Sequence, residues 1–189
     1  MLVWDERWTT ERDRLTELSP PALLRFAVAC VDRSAWRLWK DFMHSSAAID
    51  LPKASDTLDL LWSMPTRPNR TTKDELKIKA HLDMIEAMIP GDRDQNIKVI
   101  GWANLLNAVV LALLCAKNEN APDNAFGAAA YSYQAVFEKE VTSQLDREML
   151  EEEVATIERA NIVCMDDLDY QIGLLSNHDS SILIKRHDL

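Results

Sequence analysis

The stretch GWANLLNAVVLALLCAK, residues 101–117, is the most apolar segment of the chain, and its reading decides the fold. Its 17 residues lie at the short end of what spans a hydrocarbon layer of about 30 Å. Asn104 and Asn107 sit near its middle, and two unpaired amides in lipid would be costly. Set around a helix at about 100° per residue, Gly101, Asn104, Ala108, Ala112 and Cys115 form a narrow small-residue face, while Trp102, Leu105, Leu106, Val109, Val110 and Leu113 form a bulky one. Faces of spaced small residues pair helices in membranes as well. The remaining helices of the chain are amphipathic, however, so the segment reads as the central helix of a bundle, enclosed on both faces. Neighbouring helices should then approach closely along Gly101, Ala108 and Ala112, and Asn104 and Asn107 should find hydrogen-bond partners inside the protein.

The rest of the chain is consistent with helices. Only four of 189 residues are glycine, too few for a protein built on tight hairpins. No segment alternates apolar and polar residues in the manner of a half-buried strand. Ser19 before Pro20 and Pro21 predicts a capped helix start, followed by PALLRFAVACVDRSAWRLWKDFM up to about Met43. A second helix begins near Pro52, runs through ASDTLDLLW, and stops before Pro65 and Pro68. Thr72 and Glu75 fit a capping box for DELKIKAHLDMIEAMI, with Leu76, Ala80, Met84 and Ala87 beside Ile85 and Met88 at helical spacing, and Pro90 and Gly91 end it. Asp92 and Asp94 suit the start of the apolar helix. After the polar loop KNENAPDN come the alanine-rich NAFGAAAYSYQAVFEKE and one or two helices over residues 143–176. The tail from about 177 is ambiguous between a strand and a last helical turn. The expectation is one all-α domain over residues 1–189, a bundle of about six or seven helices around a buried central one. A chain of this length buries roughly 70% of the surface its unfolded form exposes and needs no disulfide or metal to stand.

Charge narrows the function classes. The formal net charge is -10, which argues against a surface that grips nucleic acid by neutralising phosphates. Cys30, Cys115 and Cys164 are odd in number, widely separated and set among apolar residues, as reduced core thiols of a cytoplasmic protein would be. The beginning, MLVWDERWTTERDR, carries acidic residues and no apolar signal core. Trp36, Trp39, Trp62 and Trp102 are expected to be core anchors, and Trp4 with Trp8 at i, i+4 to dock a first helix.

Catalytic constellations are scarce. A di-iron bundle needs Glu-x-x-His on two helices, and none is present. His178-Asp179 and His187-Asp188 resemble metal-dependent phosphohydrolase pairs but fall in the tail, and no metal or cofactor is expected. Glu148 with Glu151 and Glu152, and Asp166 with Asp169, repeat helical spacings seen in all-α Mg²⁺-dependent nucleotide hydrolases, which makes that enzyme class the alternative reading. No nucleophile elbow and no phosphate-binding glycine loop accompanies them.

Acidic residues concentrate instead in one region. Nine of them stand between 146 and 169 against Arg147 and Arg159, a net of -7 within the total of -10. Glu148, Glu151, Glu152, Glu153, Asp166, Asp167 and Asp169 therefore form the candidate partner-binding set, a docking patch for a basic protein of the kind an immunity-type or regulatory factor uses. Neither a membrane nor a nucleic acid is an expected partner, and a homo-oligomeric structural role is a third reading.

Several stretches, in order and spacing over residues 15–175, resemble the YjaG-like family of uncharacterised bacterial helical proteins: LLRFAVACVDRSAW, TLDLLWS, MIEAMIPGDRD, AVVLAL and AAAYSYQAVFEKE. Family members carry Cys-Glu-Arg in the first long helix where this chain has Cys30-Val31-Asp32-Arg33, and an Asp where Asn107 stands. The resemblance implies an all-α single domain and no activity or catalytic residue.

Overall fold

The computed structural model describes residues 2–45, 50–64, 71–89, 99–145 and 149–176. Among these there are eight α-helices and no strand: α1 Val3–Glu11, α2 Pro20–His44, α3 Leu51–Ser63, α4 Thr72–Met88, α5 Trp102–Ala116, α6 Ala121–Glu140, α7 Glu151–Ala160 and α8 Ile162–Ser176. Two 3-10 turns, Arg12–Glu17 and Thr142–Gln144, follow α1 and α6. The all-α bundle is therefore as expected, with more helices than the six or seven counted, because Asn161 divides the last acidic stretch in two. The tail from 177, with both His-Asp pairs, lies outside the described residues, as do Pro90, Gly91, Asp92 and Asp94.

α2, α5 and α6 make the centre. α5 packs most extensively against α6, then against α2 and α4, while α3 lies on α2 and α5. α8 covers α6 and α2, α7 lies on α8, and α1 closes over α7 and α8. Both helices bring small residues to the interior: Ala108, Ala112 and Ala116 from α5, with Ala125, Ala128 and Ala129 from α6, have no exposed surface. Alanines let helix backbones approach closely, and Leu106 and Leu113 of α5 are buried as well, each burial worth about 1.5–3 kcal/mol. Gly127 fits under Leu111, where a Cβ would meet its Cδ1 at 2.7 Å.

Gly101 starts α5 with φ +80°, a left-handed conformation that side chains rarely adopt. A Cβ there would sit 2.6 Å from the Ala135 carbonyl oxygen, so the predicted close approach at Gly101 is real and falls on α6 backbone. Its N–H donates to Glu138 Oε2 at 3.2 Å. The expectation for Asn104 and Asn107 fails. Both lie half-buried on a partly exposed stripe of α5 with Leu111 and Leu114, so the helix is not enclosed all round. No helix among the described residues is long and apolar enough to cross a membrane.

Local signals were accurate to about a residue. Ser19 precedes α2, yet its carbonyl, not its hydroxyl, accepts from the Ala22 and Leu23 N–H groups at 2.9 Å each. α3 is capped by Asp50, whose Oδ1 accepts from Lys53 N–H at 3.3 Å. The α4 capping box is Thr71 with Asp74, not Thr72 with Glu75: Thr71 N–H donates to Asp74 Oδ2 at 3.0 Å and Asp74 N–H to Thr71 Oγ1 at 3.3 Å. Both pairs have the same spacing, and burial of Asp74 and Ile78 chooses between them. α4 buries Ile78 and Ile85, and Leu76 points outward. Trp36 is also outward, 44% exposed, against the expectation of a core anchor, whereas Trp4, Trp8 and Trp102 are buried. All three cysteines are buried and unpaired in disulfides, as read from their spacing.

Candidate functional site

The acidic region divides into three environments once folded. Leu150 is extended at the start of α7, and its N–H donates to Glu153 Oε2 at 2.8 Å, so Glu153 ties down the helix start. Glu151, Glu152 and Glu153 occupy the first turn, where the helix dipole favours carboxylates, and all three are exposed. Leu150 beside them is 69% exposed. Glu148 lies outside the described residues.

α8 starts because Asn161 Oδ1 accepts from the Val163 and Cys164 N–H groups, each at 3.0 Å. One turn on, Asp166 and Asp167 meet two arginines of α2. Arg33 donates from Nη2 to Asp166 Oδ2 at 2.5 Å and from Nε to Asp167 Oδ1 at 3.1 Å, and Arg37 repeats both contacts. The Arg33 guanidinium also lies over the Tyr170 ring, 4.7 Å from its centroid. Asp167 is 1% exposed. Burial pushes its carboxyl up, against the pull of Arg37 and Arg33 in the other direction, and its Oδ2 has no hydrogen-bond partner among the described residues. Asp169 is exposed and paired with Arg7 of α1 at 3.2 Å.

Glu158, one of the nine acids between 146 and 169, is fully buried. Its carboxylate accepts from Val3 N–H at 2.8 Å, Trp4 N–H at 3.2 Å and Tyr133 Oη–H at 2.6 Å, and so satisfies the free donors at the start of α1. Beside it, Trp4 Nε1–H donates to Gln171 Oε1 at 3.1 Å, while Gln171 Nε2–H donates to the Ala129 carbonyl at 3.0 Å. Trp4 and Trp8 pack 5.5 Å apart, and each lies against Phe126. The i, i+4 tryptophans thus dock a first helix as expected, into a socket whose polar floor was not foreseen. No local signal marks Glu158, since its backbone partners stand some 150 residues earlier in the chain and Tyr133 stands 25 residues earlier.

The chemistry these groups offer is limited. Burial and the Glu158 charge push the Cys164 thiol up to about 12, and burial likewise raises Cys30, so neither is a ready thiolate. Burial and the bond to Glu158 raise Tyr133 as well. Among the described residues, no group of three or more His, Cys, Asp or Glu side chains is placed to hold a metal ion. Asp166, half of the second carboxylate pair that a Mg²⁺ hydrolase would need, is already held by two guanidiniums. The α7 turn of Leu150 with Glu151 to Glu153 is exposed throughout. No protein-family model matches this chain, and no match was found among curated proteins or solved structures.

Proposed function

We propose that this protein acts by binding a basic protein partner through the first turn of α7, as an immunity-type or regulatory factor does, and not by catalysis. The observation that supports this reading is the composition of that turn: an exposed leucine, Leu150, followed by three exposed carboxylates, Glu151, Glu152 and Glu153. An apolar anchor rimmed by charge is the ordinary anatomy of a docking surface, and carboxylates of one sign speed encounter with a cationic partner. Asp167 is buried against Arg33 and Arg37, and the exposed Asp166 and Asp169 pair with Arg33, Arg37 and Arg7. The proposed surface centres on Leu150, Glu151, Glu152 and Glu153, with Glu148 preceding them in sequence.

The test is binding to the purified products of neighbouring reading frames, measured by biolayer interferometry. Glu151→Lys with Glu152→Lys should slow association about tenfold or more and flatten its salt dependence, while leaving thermal unfolding within about 0.5 kcal/mol of the parent. Equal association by parent and double variant ends the proposal. Magnesium-dependent turnover of a nucleotide panel, lost in Glu151→Ala and Asp169→Ala, would establish the hydrolase in its place.

A further inference from the structure

Beside the buried Glu158 a cleft of about 230 Å³ opens between the start of α1 and the middle of α6. Leu2, Trp4 and Asp5 form one wall, and Tyr131, Tyr133 and Gln134 the other. From its lining we infer a recognition site for one lysine side chain of a basic protein. The cleft is smaller than the roughly 300–1,000 Å³ of drug-sized sites, which suits a single extended side chain. Its lining combines apolar surface from Leu2 and the aromatic rings, suited to a methylene stem, with the exposed Asp5 and the half-buried Gln134, suited to an ammonium.

Four physical features favour a cation. Aromatic rings attract positive charge through their electron-rich faces: Trp4 and Tyr133, both buried, are stacked 6.2 Å apart at the bottom of the cleft, and Tyr131, 40% exposed, offers the open ring. The Tyr133 hydroxyl donates to Glu158 at 2.6 Å, so a buried negative charge stands at the hydroxyl end of that ring. The start of α1, whose bare N–H groups would otherwise repel a cation, has its Val3 and Trp4 donors taken by the same carboxylate. The overall charge of -10 draws a basic surface toward the molecule. No residue of the α7 turn lines this cleft, so the site stands or falls without it.

The experiment is a ¹⁵N–¹H NMR titration of the full chain with two capped tripeptides, acetyl-Gly-Lys-Gly-amide and its norleucine counterpart, which keeps the stem and loses the charge. The lysine peptide should give saturable shifts confined to the amides of Leu2, Asp5, Tyr131 and Gln134, and the norleucine peptide should bind at least roughly fivefold more weakly. Asp5→Asn and Tyr131→Ala, both exposed positions, should each weaken the lysine peptide by roughly three- to tenfold with the far-UV circular dichroism melt unchanged. Equal binding of the two peptides, shifts scattered over the surface, no saturable shift, or indifference to both variants overturns the inference. Because neither peptide depends on Glu151 or Glu152, the outcome separates this site from the proposal for α7.

Discussion

A single carboxylate decides how the two ends of the described chain meet. Glu158 accepts three hydrogen bonds, two from the backbone of α1 and one from Tyr133, and has no exposed surface. Replacing it with alanine strands two amide donors and a phenol, and bonds to a buried charge are worth about 1.5–3 kcal/mol apiece. Glu158→Ala should therefore lower stability in urea unfolding by about 3 kcal/mol or more, and Glu158→Gln, which keeps one acceptor oxygen, by about half as much. An equal loss in both variants would mean that volume, not hydrogen bonding, sets the cost. Trp36 illustrates the opposite error of scale: a large aromatic in an apolar helix was expected inside, yet it sits on the outer side of α2, one residue before Arg37, whose guanidinium lies 6.0 Å from its ring.

Among the elements, α5 was the most legible. Its small residues mark the contact with α6 because only alanine and glycine permit that backbone separation, and periodicity alone exposes them. Gly101 is the sharpest case, with positive φ and a carbonyl 2.6 Å from any added Cβ. Gly101→Ala should cost at least about 2 kcal/mol in chemical denaturation, against a fraction of that for alanine at a glycine with ordinary φ and free space such as Gly173, where nothing lies within 4 Å. What periodicity misses is the environment beyond the helix. Asn104 and Asn107 fell on a partly open stripe that no wheel distinguishes from a covered one. The α4 cap slipped by one residue because Thr71–Asp74 and Thr72–Glu75 are equivalent in spacing. In α8, counting charge along the chain made a patch of Asp166 and Asp167, whereas folding sets Arg33 and Arg37, more than 120 residues upstream, against them.

Over the whole molecule these long-range contacts bind the first helices to the last. Arg33 and Arg37 fasten α2 to α8, Glu158 and Gln171 fasten α1 to α7 and α8, and Arg159 meets Glu6 at 3.2 Å. The pairs differ in weight. Arg33→Ala with Arg37→Ala leaves Asp167 buried and uncompensated, and should lower stability by about 3–5 kcal/mol; Asp169→Ala removes an exposed pair worth under about 1 kcal/mol. Equilibrium urea curves on the two variants check the contrast, and comparable losses would show that burial does not govern it. The socket for α1 also has a consequence in time. Val3 and its acceptor Glu158 are 155 residues apart, and at about 5–20 residues per second a ribosome takes roughly 8–30 s to make that interval. Until it ends Trp4 and Trp8 lack the Glu158 and Gln171 floor of their socket, so the nascent chain carries a pair of incompletely housed indoles that invite chaperone capture until α7 and α8 arrive.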